Sequence, residues 1–313
     1  MTLTQLEYIL AVADTGSFSQ AARQCHVTQP TLSMQIQKLE ETLGVILFDR
    51  TKQPTRPTAL GQIILKQARL VIQDADRLKE LVSENKGDLT GEVRLGIIPT
   101  LAPYLLPLFL KKILQAHPRL QIRIEELETQ TLLEKIRNNS LDLGLAVSPI
   151  DDINIAVHPL FYEPFLVYAS KTHPLADKKS IDEKDLSQND VLLLNEGHCF
   201  REQSLALCRK KETYSSDKSF SFESGSLETL KKLVDQGSGF TLLPLLAAQD
   251  VKDKKRLKSF SSTIPTREVS LLHGPHFQRK ALMKAFIEEI QKNLPEGLSL
   301  KKSAHQKTIN PVL

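Results

Sequence analysis

Apolar positions in the first sixty residues recur every three to four residues. Leu3, Leu6, Ile9, Leu10 and Ala13 follow this spacing, which predicts a helix with one buried face. Ser17-Phe18-Ser19-Gln20 has the residue types of a capping box and opens a second, short helix carrying the small residues Ala21 and Ala22. Thr28 caps a third helix, with Pro30 in its first turn, Leu32, Ile36, Leu39 and Leu43 as its buried stripe, and Gly44 as its stop. Helix, short helix, tight turn and helix is a helix-turn-helix pattern. Off the stripe lie Gln29, Thr31, Ser33, Met34, Gln35 and Lys38, and side chains of the Gln, Thr and Ser type bond to base edges and phosphates. Residues 51–57 are basic and turn-rich, as suits a hairpin wing meeting phosphates or a minor groove. Spacing alone leaves open a three-helix protein-binding domain with a solvated polar face.

Thr58 begins a long helical pattern running to about residue 85. Ile64, Ala68, Val71, Ala75, Leu78 and Val82 step by 4, 3, 4, 3 and 4. That is either a heptad seam for a second helix or the apolar face of a helix folded back on its own domain. From Glu92 the pattern alternates instead. Strands are predicted at 93–98, 120–125 and 143–147, with helices at 104–115 and 132–138 between and after them. Strand alternating with helix implies an α/β fold with a parallel sheet. A second unit has strands at 191–194, 220–222 and 240–243, with a helix at 227–236 capped by Ser226. A strand at 268–272 and a helix at 278–292 end the fold. The tail from about residue 301 is expected to be mobile.

In such sheets ligands bind beyond the carboxyl ends of strands, beside helix starts. Thr100 follows the first strand, Thr129 caps the helix after the second, and Gly197-His198-Cys199 opens a helix over 200–211. All three face one cleft in this reading, although a threonine at a helix start is usually only a cap.

Composition adds bounds. The chain has 313 residues, 41% hydrophobic and 25% charged, an ordinary globular balance for two or three domains. No apolar run approaches the roughly 18–20 residues of a membrane span. The first residues lack the pattern of a signal peptide, so a cytoplasmic protein with no membrane partner is expected. The net charge of +4 is misplaced for a DNA-binding N-terminus: residues 1–58 hold five basic and five acidic side chains, and residues 251–313 hold thirteen against five. Any case for DNA rests on local pattern. His117, His158, His173, His273 and His276 show no metal spacing, and no glycine-rich phosphate loop or nucleophile elbow is present. Neither metal nor cofactor is expected.

Cys25 reads as packing. Cys199 and Cys208 are either two ordinary buried thiols or a reactive pair. Cys199 begins a helix, where the dipole and free N–H groups favour thiolate, and His198 and Arg201 beside it can add positive charge. A thiolate attacks a peroxide O–O bond and becomes sulfenic acid, which condenses with a second thiol. Nine helical residues place the two Cα atoms roughly 13–14 Å apart, whereas a disulfide tolerates at most about 7 Å. Joining them unravels the helix and turns oxidation into a conformational switch.

Residues 18–22 (Phe-Ser-Gln-Ala-Ala), 27–36 (Val-Thr-Gln-Pro-Thr-Leu-Ser-Met-Gln-Ile) and 39–50 (Leu-Glu-Glu-Thr-Leu-Gly-Val-Ile-Leu-Phe-Asp-Arg) resemble the winged helix-turn-helix of LysR-type transcriptional regulators. Gly197-His198-Cys199-Phe200-Arg201-Glu202-Gln203 with Cys208, Ile98-Pro99-Thr100 and residues 226–230 and 237–244 are similar to the hydrogen-peroxide-sensing members of that family. Residues 204–207 depart from the usual pattern. The resemblance implies a winged helix-turn-helix at 1–58, a linker and dimerisation helix at 59–87 and a two-lobed, periplasmic-binding-protein-like (type 2) α/β effector domain at 88–300. Its lobes are 88–163 plus 265–300, and 164–264, with a tail at 301–313.

It further implies that Thr28, Gln29, Pro30, Thr31, Ser33, Gln35 and Arg50 meet double-stranded promoter DNA. Cys199 is the peroxidatic thiol and Cys208 the resolving one, while Thr100, Thr129, His198 and Arg267 form the peroxide pocket. The implied partners are a second copy through the linker helix, with a tetramer beyond it, hydrogen peroxide as signal, RNA polymerase and a cellular thiol reductant. Two other readings stay open: a metabolite-responsive regulator with bystander cysteines, and a thiol peroxidase.

Overall fold

The computed structural model describes residues 1–84, 89–186, 191–208 and 223–310. The chain forms two compact units, residues 1–90 with 138–140, and residues 91–137 with 141–313.

The first unit opens with α1 (Leu3–Thr15), α2 (Phe18–Gln24) and α3 (Gln29–Leu43). The complete capping box belongs to α1, between Thr2 and Gln5. At α2 the Ser17 hydroxyl accepts from the Gln20 N–H at 3.4 Å. Thr28 caps α3 and Gly44 closes it in the left-handed region at φ 69°, a conformation glycine adopts without a Cβ penalty. Leu32, Ile36 and Leu39 are fully buried, whereas Leu43 is 37% exposed; it sits on the last turn, beyond the reach of the α1–α2 core. The short strands β1 (Phe48–Asp49) and β2 (Arg56–Pro57) pair antiparallel and make the wing.

Helix α4 (Ala59–Glu84) starts where the Thr58 hydroxyl accepts from the Gly61 N–H at 2.9 Å. A Cβ on Gly61 would stand 2.2 Å from the Leu47 carbonyl oxygen, so only glycine permits this close approach. The α4 seam divides. Ala68 is buried, and Ile64 and Val71, with the buried off-seam Leu65 beside them, pack on the same core as α1 and α3. Further along, Leu78 is 70% exposed. The first half of the seam therefore packs on its own unit. Val82 lies outside the residues whose side chains are described.

In the second unit β3 (Gly91–Ile97), α5 (Ala102–Ala116), β4 (Leu120–Glu126), α6 (Thr129–Arg137) and β5 (Leu143–Ser148) follow the predicted alternation. β3 lies between β4 and β5, parallel to both. The sheet then turns mixed through β6 (Ala156–Ala169), a 14-residue strand the hydrophobic pattern does not predict. Beyond it come β7 (Leu193–Leu194), α7 (Cys199–Leu207), β8 (Glu223–Ser224), α8 (Leu227–Asp235), β9 (Phe240–Pro244), α9 (Leu245–Ala248), β10 (Leu257–Lys258) and β11 (Ile264–His273). Helix α10 (Lys280–Lys292) and β12 (Gln306–Thr308) complete it.

β11 runs antiparallel to both β5 and β6, and the distal half of β6 pairs with β9 and β10. These two long strands join the lobe of β3–β5 to the lobe of α7–α9, whose core gathers Phe165, Phe200, Leu207, Leu230, Phe240 and Leu243.

Two expectations change, the capping of α8 and the tail, and one is untested. Ser226 stands at the N-cap of α8 but its side chain makes no capping bond. The predicted strand at 220–222 and the end of the predicted helix at 209–211 lie outside the described residues. The tail is not a loose end: β12 pairs parallel with β11, Ile264 opposite Gln306 and Thr266 opposite Thr308. Among the described residues no helix is long and apolar enough to cross a membrane.

Candidate functional site

Cys199 is the first residue of α7, and the strand ends of the other lobe bring polar groups to it. It is buried, 5% exposed, and its thiol feels the Arg267 guanidinium, the Thr129 side chain and the backbone N–H groups at the start of α7. Arg267 is wholly buried. Its Nη1 donates to the Thr100 hydroxyl oxygen at 2.9 Å and its Nη2 to the Thr100 carbonyl at 3.1 Å. Its Nε donates to Glu163 Oε2 at 2.8 Å, and Glu163 Oε1 accepts from the Leu246 N–H at 2.7 Å. The guanidinium lies 5.7 Å above the Phe200 ring, which packs edge-on against Phe165 at 5.3 Å.

This arrangement fixes hydrogen-bond roles. Because Arg267 occupies an acceptor site of the Thr100 hydroxyl, the Thr100 O–H keeps its hydrogen for another acceptor. Thr129 presents a second hydroxyl at the sulfur. A small molecule with adjacent oxygens that both donate and accept matches such a set. Glu163 neutralises Arg267, and each nitrogen of the guanidinium and each oxygen of the carboxylate has a hydrogen-bond partner, as burial demands.

The thiol itself differs from the sequence expectation. Burial pushes the Cys199 thiol above its ordinary value of 9.0, against the lowering influence of Arg267, the Thr129 bond and the two backbone N–H groups. Desolvation outweighs the helix start, and the resting sulfur is protonated at neutral pH. The cation beside it is Arg267. The flanking His198 is buried, and burial holds its imidazole below the ordinary value despite Glu128 and Glu126, so it is neutral. Arg201 Nη1 donates to the Leu194 carbonyl at 2.7 Å. Gly197 has φ +93°, and a Cβ there would stand 2.4 Å from Glu128 Oε2, so the turn into α7 requires glycine.

Cys208 caps the other end of α7, its N–H donating to the Ser204 carbonyl at 3.0 Å. It is buried in the core with Phe200 and Leu207. Both cysteines are free thiols, and the intact helix between residues 199 and 207 sets their Cα atoms roughly 13 Å apart. The structure thus brings Thr100, Thr129, Cys199 and Arg267 together, sets His198 alongside, and holds Cys208 a helix length away. Sequence reasoning missed Glu163 as a member. A carboxylate within the apolar run Leu160–Val167 was its one available signal.

In the first unit the N-terminal end of α3 is open to solvent. Thr28, Gln29, Pro30 and Thr31 are exposed, with the Thr28 and Thr31 hydroxyls 2.8 Å apart. Ser33 and Arg50 meet at 3.4 Å, and Arg50 pairs with Glu40 at 2.9 Å. Gln35 is less free: its Oε1 accepts from Gln5 Nε2 at 3.1 Å. Cys25 is half-buried at the end of α2.

A helix-turn-helix with a wing, followed by a two-lobed α/β domain, defines a class, and family comparison agrees. Residues 3–62 match the bacterial regulatory helix-turn-helix protein, lysR family, and residues 86–295 the LysR substrate binding domain. The chain belongs to the LysR family of transcriptional regulators. Among its relatives is the DNA-binding transcriptional dual regulator OxyR of Escherichia coli K12, 35% identical over 294 residues, 93% of this chain and 95% of that protein. The hydrogen peroxide-inducible genes activator of Haemophilus influenzae is 36% identical over 278 residues, 88% of this chain and 91% of the relative.

Among solved structures, a cysteine-to-aspartate variant of full-length OxyR from Pseudomonas aeruginosa superposes with a TM-score of 0.79 at 35% identity, covering 94% of this chain and 99% of that one. A cysteine-to-serine variant of Corynebacterium glutamicum OxyR with hydrogen peroxide bound gives 0.62 at 30% identity, covering 93% and 92%.

Proposed function

We propose that the protein is a hydrogen-peroxide-responsive transcriptional regulator that binds double-stranded promoter DNA and reads the oxidant through Cys199. The observation that carries this is the buried Cys199 thiol, set against the Thr129 hydroxyl and the Glu163–Arg267–Thr100 chain. Peroxide bound there receives hydrogen bonds from Thr100 and Thr129, with His198 completing the wall. A sulfur lone pair forms the S–O bond as the O–O bond breaks. The departing hydroxide takes the thiol proton and leaves as water, so Cys199-SH and HOOH become Cys199-SOH and H₂O. The Arg267 charge stabilises anionic character at sulfur and at the leaving oxygen, which explains how a thiol kept protonated at rest can react.

The sulfenic acid then condenses with the Cys208 thiol, releasing a second water and forming the disulfide. That bond is incompatible with helical α7, so the lobe of α7–α9 repacks. In a reducing cytoplasm such a bond is transient, and a cellular thiol reductant restores the resting state. Thr28, Gln29, Pro30, Thr31, Ser33, Gln35 and Arg50 form the DNA face, α4 pairs two copies across half-sites, with tetramers beyond, and RNA polymerase is the downstream partner. That relatives are named activators of hydrogen peroxide-inducible genes supports the reading.

The test is non-reducing peptide mapping before and after micromolar peroxide, with DNA footprints on the same samples. A Cys199–Cys208 peptide pair with an altered footprint is expected. A wild-type peroxide response in Cys199→Ser would refute the reading.

A further inference from the structure

Residues near the end of the described chain are joined to the middle of α7. Gln203 is fully buried, and its side-chain amide nitrogen donates to the Ile309 carbonyl; its Oε1 has no hydrogen-bond partner among the described residues. Ile309 is 6% exposed and belongs to the same apolar cluster as Phe200, Leu207 and Cys208. The Ile309 N–H donates to the Thr266 carbonyl at 2.9 Å, one residue before Arg267. Upstream, residues 306–308 run parallel to β11, the Ile264 N–H donates to the His305 carbonyl at 2.9 Å, and Lys307 pairs with Glu183 at 3.0 Å. A polar, basic tail is thus held between the strand that carries Arg267 and the helix that carries both cysteines.

We propose that residues 305–309 are a strap, docked on β11 and α7 only while Cys199 and Cys208 are thiols, and released when the disulfide forms. The release step rests on the peroxide-sensing reading above. Gln203 lies four residues after Cys199 and five before Cys208, so no disulfide can close across α7 while the helical turn bearing Gln203 keeps its place. The oxidation consumes peroxide as balanced above, and the strap itself undergoes no covalent change. It loses the Gln203 bond and its apolar seat together. What remains is a three-residue strand pairing and an exposed ion pair, and elements of that size do not hold a chain end unaided. The coupling is reciprocal: a docked strap resists unravelling of α7 and so raises the peroxide exposure needed to switch. Release also uncovers the edge of β11 at residues 264–266.

Hydrogen exchange on the full-length chain tests this, with the disulfide state of each sample read by peptide mapping. On peroxide treatment, amide exchange across residues 306–309 should rise at least tenfold in wild type and stay unchanged in Cys199→Ser. If the disulfide forms and the tail stays protected, the strap is wrong while the sensor reading stands. If no disulfide forms, the sensor reading and the release step fall together. The holding role is judged separately in the reduced protein with Gln203→Met, which keeps the side-chain length and removes the donor. Exchange at residues 306–309 should then rise severalfold with strands β3–β5 unchanged, and a second variant truncated after Ser303 should speed exchange in α7. Unchanged exchange in both variants overturns the strap.

Discussion

The N-terminal end of α3 and the N-terminal end of α7 are both helix starts with small polar residues, yet they are opposite environments. At α3, Thr28, Gln29, Pro30 and Thr31 are exposed and no apolar layer covers them. At α7, Cys199, His198, Thr100, Thr129 and Arg267 are all buried. A surface that meets a macromolecule has to be open before binding. A site that selects a two-oxygen molecule can be closed around it, and burial also keeps its thiol protonated. Function and stability are therefore separable at α3 and entangled at α7.

The largest break in that contrast is expected at Arg267. Arg267→Ala leaves Glu163 charged, 0% exposed and without its partner, and removal of one member of a buried pair typically costs about 3–5 kcal/mol. Urea unfolding measures this. Glu163→Gln should cost less, because an amide carries no buried charge, and should still slow sulfenic acid formation by loosening Arg267. A loss below about 1 kcal/mol for Arg267→Ala would mean that the pair is solvated and the site open.

Next comes Gly197. Its φ of +93° lies where an L side chain is strained, so Gly197→Ala should destabilise by about 1–3 kcal/mol and shift the start of α7. Peroxide reactivity should fall with it. Thermal unfolding together with the rate of Cys199 oxidation checks both.

How much of this contrast could be read beforehand depends on the range of the interactions. The α3 module is local. Thr28, Pro30 and Gly44 mark its ends, and a stripe at three-to-four spacing marks its face, each within one helix. Leu43 was misread because the stripe continues by spacing after the core has ended. β6 was hidden because Pro159 and Pro164 interrupt an otherwise apolar run. The structure accommodates Pro159 opposite Ser270, at the irregularity between Val269 and Ser270, where a missing N–H is tolerated. At α7 the cysteines, His198 and the two threonines were visible as helix-start chemistry. Glu163 was not, because its role exists only through a partner 104 residues away. The tail was misread for a related reason. Its hold on the fold comes from backbone pairing and from one isoleucine, and composition registers neither.

The α3 side of the comparison predicts the reverse of Arg267. Gln29→Ala removes an exposed side chain, so stability should stay within about 0.5 kcal/mol. Operator affinity should fall by about 1–3 kcal/mol if Gln29 reads a base, measured by fluorescence anisotropy. Arg50→Ala should be milder. Its pair with Glu40 is 43% exposed on the arginine side, and exposed pairs contribute about 0–1 kcal/mol. Binding should weaken evenly across sequences, with the salt slope reduced by about one. An equal fall in stability and affinity for Gln29→Ala would erase the distinction between the two helix starts.

The smallest effect is a pH dependence, and its sign follows from the raised Cys199 thiol. The folded state holds that proton more tightly than the unfolded chain does, so stability from this group is fully present below the ordinary value of 9.0 and is lost as pH climbs through the higher folded value. Cys25 is also raised, by burial and by Glu7, so wild type alone does not isolate the effect. The difference between wild type and Cys199→Ser does, because Cys25 is common to both. That difference in unfolding free energy should be flat between about pH 6 and 8 and should decline only above the ordinary thiol range. Alkylation of folded Cys199 should rise over the same alkaline window. A difference that already changes between about pH 6 and 8 would mean that Arg267 and the helix start outweigh desolvation at sulfur. Cys199 would then rest as thiolate, and the burial that sets α7 apart from α3 would not be what keeps it in reserve.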